Sequence, residues 1–497
     1  MSTMRILSGL AITIVLGARS MPAADLDRLV PVRWPGGPLE VARRAALKPV
    51  SPELAAALRN WYQPRSLDRL RHTPLNCILV TWSGGDAAME REQQRILRDY
   101  SCEAHRRDIT VMALVTSSPT ARGVADAVAA GLDGFVVDGE AASADQVAPA
   151  TRPLAPDRGR ELPVIRLSSK AATVPGIRLF SEDGAVQATP TSEPWIDSNL
   201  WFVRFLRWVS SQPAWLGYSL GTTSDHEYAR AIADAAAAGG RWVVAPDDTL
   251  ISGLFEGTPA AERSWRRIVD TLRFFEDHSG WRQFSPAGTL GIVPQNTDSG
   301  AENLNLIARR KIPYKLLTRA TLSGPGLHRL NAVLALGCVL NESEKAALRD
   351  FVESGGLAIV GPAWGRSVPP GEDFDVRPVG AGRVAVYRND EADSETLSKD
   401  VLHWIGRENL GVRLFHAPTV LPTVSESSDG MQLLVQMVNY ATEPAEAVMV
   451  RLAGEYQSAR VYGLDGPPVA LELEKSERGI EVKVPAVPVY AALLLER

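Results

Sequence analysis

From Cys77 to Asp248 apolar runs alternate with amphipathic stretches, the pattern of parallel strands joined by helical crossovers. Strands are expected at Ile78 to Trp82, Ile109 to Val115, Phe135 to Asp138, Val164 to Leu167, Ile177 to Phe180, Trp215 to Tyr218 and Trp242 to Ala245. That is one short of the eight in a (β/α)8-like barrel. Helices are expected at Ala87 to Arg106, Ala121 to Ala130, Ser198 to Val209, His226 to Ala238 and Ala261 to His278. In the last, Trp265, Ile268, Leu272 and Phe275 recur at helical spacing while Arg266, Arg267, Asp270 and Arg273 fill the other face, as in a helix packed outside a sheet.

The pattern shifts near Thr289. Leu290 to Val293, Ala332 to Leu336 and Leu357 to Gly361 read as buried parallel strands, and a helix from Glu342 to Glu353 stops at Gly355-Gly356. This is a flavodoxin-like α/β unit without a glycine-rich phosphate loop. Gly337-Cys338-Val339 also lacks the glycine that completes a nucleophile elbow. From about Gly411 six short strands, at Leu433 to Asn439, Ala447 to Leu452, Ser458 to Tyr462, Val469 to Leu473, Ile480 to Val484 and Val489 to Leu495, predict a β-sandwich. The expected class is therefore α/β with a C-terminal β-sandwich. A leader spans 1–20, the barrel 21–285, the flavodoxin-like domain 286–409 and the sandwich 410–497.

The leader follows from Arg5, the apolar stretch Ile6 to Gly17 and the small residues of Ala18-Arg19-Ser20. Cleavage after Ser20 takes the formal charge from -5 to about -7 and implies a secreted or periplasmic protein with no membrane span in its mature form. Acidic and basic residues are interspersed, so there is no footprint for nucleic acid. Cys77 and Cys102 are placed where a disulfide is conceivable, although buried free thiols are the simpler expectation for the three cysteines. The seven histidines show no ligand spacing, so neither a metal nor another cofactor is expected.

The chemistry lies in carboxylates that end strands. Gly134 to Val137 stops on Asp138, with Glu140 two residues on, and Arg241 to Pro246 stops on Asp247 and Asp248. Between them Glu193 and Asp197 flank Trp195. Barrels place their chemistry at the C-terminal strand ends, and glycosidic cleavage needs two carboxyl groups there, one protonated and one ionised. Asp138 leads because it directly follows a buried strand. Its alternative role is a cap or a salt bridge at the barrel mouth. Glu193 beside an indole suits a general acid, whereas Asp197 equally suits a helix N-cap. Asp247 and Asp248 equally suit a turn into a helix. Seven of the 12 tryptophans fall between Trp195 and Trp281. Trp82, Trp195 and Trp242 are the candidate stacking platforms for sugar rings, whereas Trp208 and Trp265 sit at packing positions.

Tyr314 to Leu317, Ala332 to Leu336, Ala346 to Gly356 and Leu357 to Gly361 resemble the trimerisation domain of family 42 glycoside hydrolases, the β-galactosidase type. Leu433 to Tyr440 resembles the opening strand of their C-terminal domain. The resemblance implies a barrel fold, an oligosaccharide or polysaccharide partner and room for a homo-oligomer. Those enzymes carry an Asn-Glu pair after the fourth strand, where this chain has Val164 to Ser169 without a carboxylate, so no nucleophile transfers residue by residue. Two readings stand: a glycoside hydrolase using a carboxylate pair, and a catalytically silent carbohydrate-binding protein on the same scaffold.

Overall fold

The computed structural model describes residues 26–497 apart from 84, 117–120, 139–161, 169–173, 179, 183–184, 188–194, 222–223, 296, 323–324 and 366–367. The expected leader lies outside the described residues.

Five strands, β1 (Pro31–Arg33), β2 (Cys77–Thr81), β3 (Thr110–Val115), β4 (Gly134–Val137) and β5 (Val164–Arg166), pair side by side in parallel. Four short strands follow, β6 (Gly176–Arg178), β7 (Phe180–Glu182), β8 (Ala185–Gln187) and β9 (Trp195–Asp197), with β6 antiparallel to β9 and β7 to β8. Then β10 (Trp215–Leu216) and β11 (Arg241–Trp242) pair in parallel. Single parallel bridges join Ser168, just past β5, to Leu216, and Val244, just past β11, to Val32. The parallel pairings thus run from β1 through seven strands and back to β1.

Side chains alternate along these strands as a pleat requires. Cys77 and Leu79 of β2, Met112 of β3, Val136 of β4, Ile165 of β5, Trp215 of β10 and Val243 beyond β11 pack into one cluster. Their neighbours Ile78, Val80, Val111, Ala113, Phe135 and Val137 belong to a second, larger core shared with the helices. One face of these strands therefore carries a packed apolar core, with Trp215 its largest member. Two departures from expectation stand out. The segment at Ile177 is antiparallel and outside the series, and its place is taken by β1, three residues whose brevity hides any periodicity.

The helix Pro259–Asp277 begins at Thr258, whose side chain accepts from the Ala261 N–H, and buries the expected Trp265, Ile268, Leu272 and Phe275. It packs beside the helix Asp225–Ala236, which Ser224 and Glu227 close with a capping box. That helix buries Ala229, Ala231, Ala233 and Ala235, and such small residues let neighbours approach from several sides. Its Asp234 is fully enclosed. The carboxylate accepts from the Asn199 backbone N–H at 3.0 Å, from Asn199 Nδ2 at 2.8 Å and from the Tyr440 hydroxyl at 2.7 Å.

A second sheet is built from β13 (Leu290–Ile292), β14 (Tyr314–Leu316), β15 (Ala332–Ala335), β16 (Leu357–Val360), β17 (Phe374–Val379) and β18 (Gly382–Tyr387) in the order β14-β13-β15-β16-β18-β17. Only β17 runs antiparallel to its neighbour. The C-terminal region is antiparallel throughout. One sheet holds β12 (Ser285–Pro286), β20 (Val420–Glu426), β21 (Gln432–Asn439), β23 (Ser458–Gly463), β24 (Val469–Leu471) and β27 (Tyr490–Glu496). The other holds β19 (Val412–Phe415), β22 (Ala445–Leu452), β25 (Glu474–Ser476) and β26 (Gly479–Val487).

Along β21, Leu433, Val435 and Met437 face the four-stranded sheet, while Leu434 and Val438 join the core beneath the N-terminal helices. Gln436 donates to the Ala237 carbonyl at 2.9 Å. A sheet covered on both faces reads as an almost unbroken apolar run, which is what Leu433 to Val438 is. Among the described residues, no helix is long and apolar enough to cross a membrane.

Candidate functional site

The C-terminal ends of the parallel strands bring together residues far apart in sequence. Arg33 ends β1, Thr81 ends β2, Asp138 follows β4 and Tyr218 lies just past β10. Asp138 is set by the fully buried strand before it and by its own N–H, which donates to the Val115 carbonyl at 2.7 Å. Its carboxylate is ion-paired with Arg33 Nη2, the two side chains being 21% and 22% exposed. Since β2 and β3 separate β1 from β4, the pair reaches across two strands. Arg33 Nε is buried and has no partner among the described residues, so one donor beside Asp138 is left unmatched, whereas the Tyr218 ring packs into the helix-side core, where its hydroxyl feels the charges of Asp234 and Arg230.

Behind Arg33, the helix Gly37–Leu47 buries Glu40 at 3% exposure. Glu40 accepts from Arg43 Nη2 at 2.6 Å, Arg44 Nε at 2.8 Å and the Thr81 hydroxyl at 3.0 Å. Burial pushes its carboxyl up, but the hydrogen bonds and charges of Arg43 and Arg44 outweigh this and hold it below the ordinary 4.5 of a glutamate. Arg43 is in turn raised, first by its bond to Glu40 and also by the charges of Glu40 and Asp138. Glu40 and Asp138 therefore belong to one electrostatic network. Glu40, ionised and saturated with donors, is unsuited to give up a proton.

The remaining candidates divide. Asp247 caps the helix Asp248–Glu256, accepting from the Leu250 N–H at 2.7 Å. Asp248 is ion-paired with Arg44 and, at 2.7 Å, with Lys48. Both acids are thus engaged in fixing helices, as the alternative reading of that turn anticipated. Asp197 ends β9 opposite Gly176, and the cap position of the next helix belongs to Asn199. Trp195 is half-buried, with the Arg309 guanidinium carbon 3.4 Å from its ring centroid. Trp82 and Trp242 are 3% and 2% exposed. Trp242 donates to the Tyr218 carbonyl at 3.0 Å and packs against the Tyr218 and Tyr228 rings. Both indoles are core rings here and present no face to a ligand. Glu140 and Glu193 lie outside the described residues.

Among the described residues, no three His, Cys, Asp or Glu side chains gather as metal ligands. The three cysteines are free, and Cys102 is exposed rather than buried. What the strand ends offer is a part-exposed carboxylate and the guanidinium paired with it, a set able to orient hydroxyl groups and to stabilise charge.

This scaffold has known counterparts. The fold is similar to that of glycoside hydrolases. The alpha-L-fucosidase isoenzyme 2 from Paenibacillus thiaminolyticus superposes with a TM-score of 0.54 at 10% identity, over 87% of this chain and 96% of that one. Gan42B, a GH42 beta-galactosidase from G. stearothermophilus, gives 0.39 at 10% identity, over 82% and 67%. The exo-beta-1,4-mannosidase Op5Man5 from Opitutaceae bacterium strain TAV5 gives 0.42 at 12%, over 76% and 95%. The likeness rests on the fucosidase, and at such identity it concerns the fold alone. The sequence matches no family model and no curated protein. The family 42 resemblance thus stands at the coarser level of a glycoside hydrolase-like fold.

Arg33 and Glu40 escaped the sequence reading. Glu40 was accessible in principle: a lone acid between Leu39 and Val41, followed at three and four residues by Arg43 and Arg44, marks a helical ion-pair network.

Proposed function

We propose that the protein is an exported glycoside hydrolase acting on an oligosaccharide or polysaccharide, with its site at the C-terminal ends of β1 to β11. In this reading the linked parallel strands form a seven-stranded variant of the (β/α)8 barrel through residue 285. Residues 286–409 form a flavodoxin-like domain able to support a homo-oligomer, and 410–497 a β-sandwich. Residues 1–20 are a cleaved signal, giving a secreted or periplasmic product. The observation that carries the proposal is Asp138, a carboxylate with one-fifth of its surface open, at the end of a buried parallel strand. Paired with a guanidinium, Asp138 takes the ionised role, and Glu193 beside Trp195 takes that of the acid. Glu140 and Asp197 are the next candidates for the partner, ahead of the engaged Asp247 and Asp248.

The Arg33 ion pair supports the second reading, a silent carbohydrate-binding protein, because it occupies the carboxylate that catalysis would use. A panel of aryl glycosides and oligosaccharides separates the two. A hydrolase releases aglycone from at least one substrate and loses turnover in Asp138→Asn while binding survives. Saturable binding without turnover of any glycoside sinks the enzyme and leaves the binder; absence of both sinks the carbohydrate reading.

A further inference from the structure

A cavity of about 490 Å³ lies where the N-terminal helices meet the two later regions. Its wall includes the turn between the helix Asp225–Ala236 and β11, which leads into the start of a parallel strand. The cavity is therefore near the N-terminal ends of the strands, whereas Asp138 stands past a C-terminal end. Four cations line it, Arg204, Arg207, Arg282 and Lys315, and no carboxylate does.

The charges nearby do not balance. Arg204 is held by the carbonyl oxygens of Tyr314 at 3.4 Å and Val424 at 3.1 Å. Arg207, exposed at the opening, is held by those of Ala238 at 3.4 Å and Arg282 at 3.2 Å. Among the described residues neither has a carboxylate within ion-pairing distance. Glu276, which bonds Arg282 at 2.5 Å, is shared with Arg241, and Glu426, 3.4 Å from Lys315, is shared with Arg329. Desolvation lowers the Arg207 pKa; Asp27 opposes this, and the like charges of Arg204 and Arg282 add to it. Cations gathered with so few acids favour an anion between them.

The rest of the wall is aromatic. Trp208 and Trp281 line the cavity, both half-buried, and the indole N–H of Trp208 has no partner among the described residues. Indole rings take the apolar faces of sugars, and guanidinium groups take carboxylates and sulfates in bidentate fashion. The volume suits a mono- or disaccharide.

We propose that this cavity is a second binding site, separate from Asp138, for an anionic sugar whose carboxylate or sulfate sits among Arg204, Arg207, Arg282 and Lys315 with its ring against Trp208 or Trp281. The sugar rests on the carbohydrate reading above; the anion rests on charge alone. Calorimetric titration of the full chain with glucuronic acid, glucose 6-sulfate, glucose and inorganic sulfate tests it. The expected result is saturable binding of the two charged sugars, weakened by salt and weakened ~10- to 100-fold in Lys315→Met or Arg207→Met by loss of a charged hydrogen bond. Glucose and sulfate should bind more weakly, and Asp138→Asn should leave the affinity unchanged. Equal affinity for glucose overturns the anion, and equal affinity for sulfate overturns the sugar. No saturable binding, or unchanged affinity in both cation variants, overturns the site. Because the readout is binding in a cavity that Asp138 does not line, it succeeds or fails independently of any glycoside turnover.

Discussion

Replacing Asp234 with asparagine tests whether an enclosed carboxylate is costly to this fold at neutral pH. Desolvation raises its pKa from 3.8 to about 6, although the hydrogen bonds from Tyr440 and Asn199 pull the other way. With a folded value above the unfolded one, the native state holds its proton longer. Stability is therefore full below about pH 3.8 and is lost as pH rises through about 6. The total is about 3 kcal/mol, at 1.36 kcal/mol per pKa unit, and most of it, about 2 kcal/mol, falls between pH 4 and pH 7. In Asp234→Asn the side-chain oxygen still accepts from Tyr440, while the new amide meets Asn199 Nδ2 at a cost that does not depend on pH. The variant's Tm relative to wild type should thus climb by about 2 to 3 °C from pH 4 to pH 7, given about 2.1 cal/mol/K of unfolding entropy per residue. Scanning calorimetry on both proteins at the two pH values reads this directly. A Tm difference that is the same at pH 4 and pH 7 would show that Asp234 titrates alike in the folded and unfolded chain, and would refute the reasoning.

Trp242→Ala should cost roughly 3 to 5 kcal/mol of stability by opening a core cavity, seen as a lowered denaturation midpoint; a fully stable variant with weakened sugar binding would return this ring to the site. Glu40→Gln should cost roughly 2 to 3 kcal/mol above pH 5 in chemical denaturation, since it strips the counter-charge from Arg43 and Arg44. Because the Glu40 pKa is depressed when folded, that contribution fades as pH falls below 4.5, and a deficit that persisted in strong acid would contradict the network. Thiol titration of the native protein should label Cys102 quickly, Cys338 slowly and Cys77 only on unfolding, in keeping with their exposed, half-buried and buried positions. Gly382→Ala should destabilise the second sheet by roughly 1 to 3 kcal/mol, because the added carbon would stand 2.2 Å from the carbonyl oxygens of Val352 and Gly356.

Elements long enough to show a period were legible. The helix Glu342–Glu353 and the strands at Ala332 and Leu357 agree with their patterns to within a residue. β1 did not, because three residues carry no repeat, and β20 did not, because Pro422 and Thr423 interrupt its apolar run. The segment at Ile177 had the composition of a buried parallel strand and became an antiparallel one, since pairing partners are chosen by tertiary contacts that composition does not record. At the strand ends Asp138 was legible and its ion-pair partner was not. Asp138 is marked by the strand it ends, whereas Arg33 reaches it from 105 residues away. The tryptophans misled for a related reason: Trp82 and Trp242 end or open strands, but which face of the pleat they occupy depends on register.

The double coverage of β21 has a consequence for how the chain comes apart. Leu434 and Val438 share a core with Tyr228, Phe275 and the strands β1 to β4, so the C-terminal sheet is the outer wall of the N-terminal core as well as half of its own. Removing the chain beyond Gly411 would strip that wall and leave the helices Asp225–Ala236 and Pro259–Asp277 with an apolar flank in water. Proteolytic fragments ending there should aggregate, and heating should melt both ends of the chain in a single endotherm.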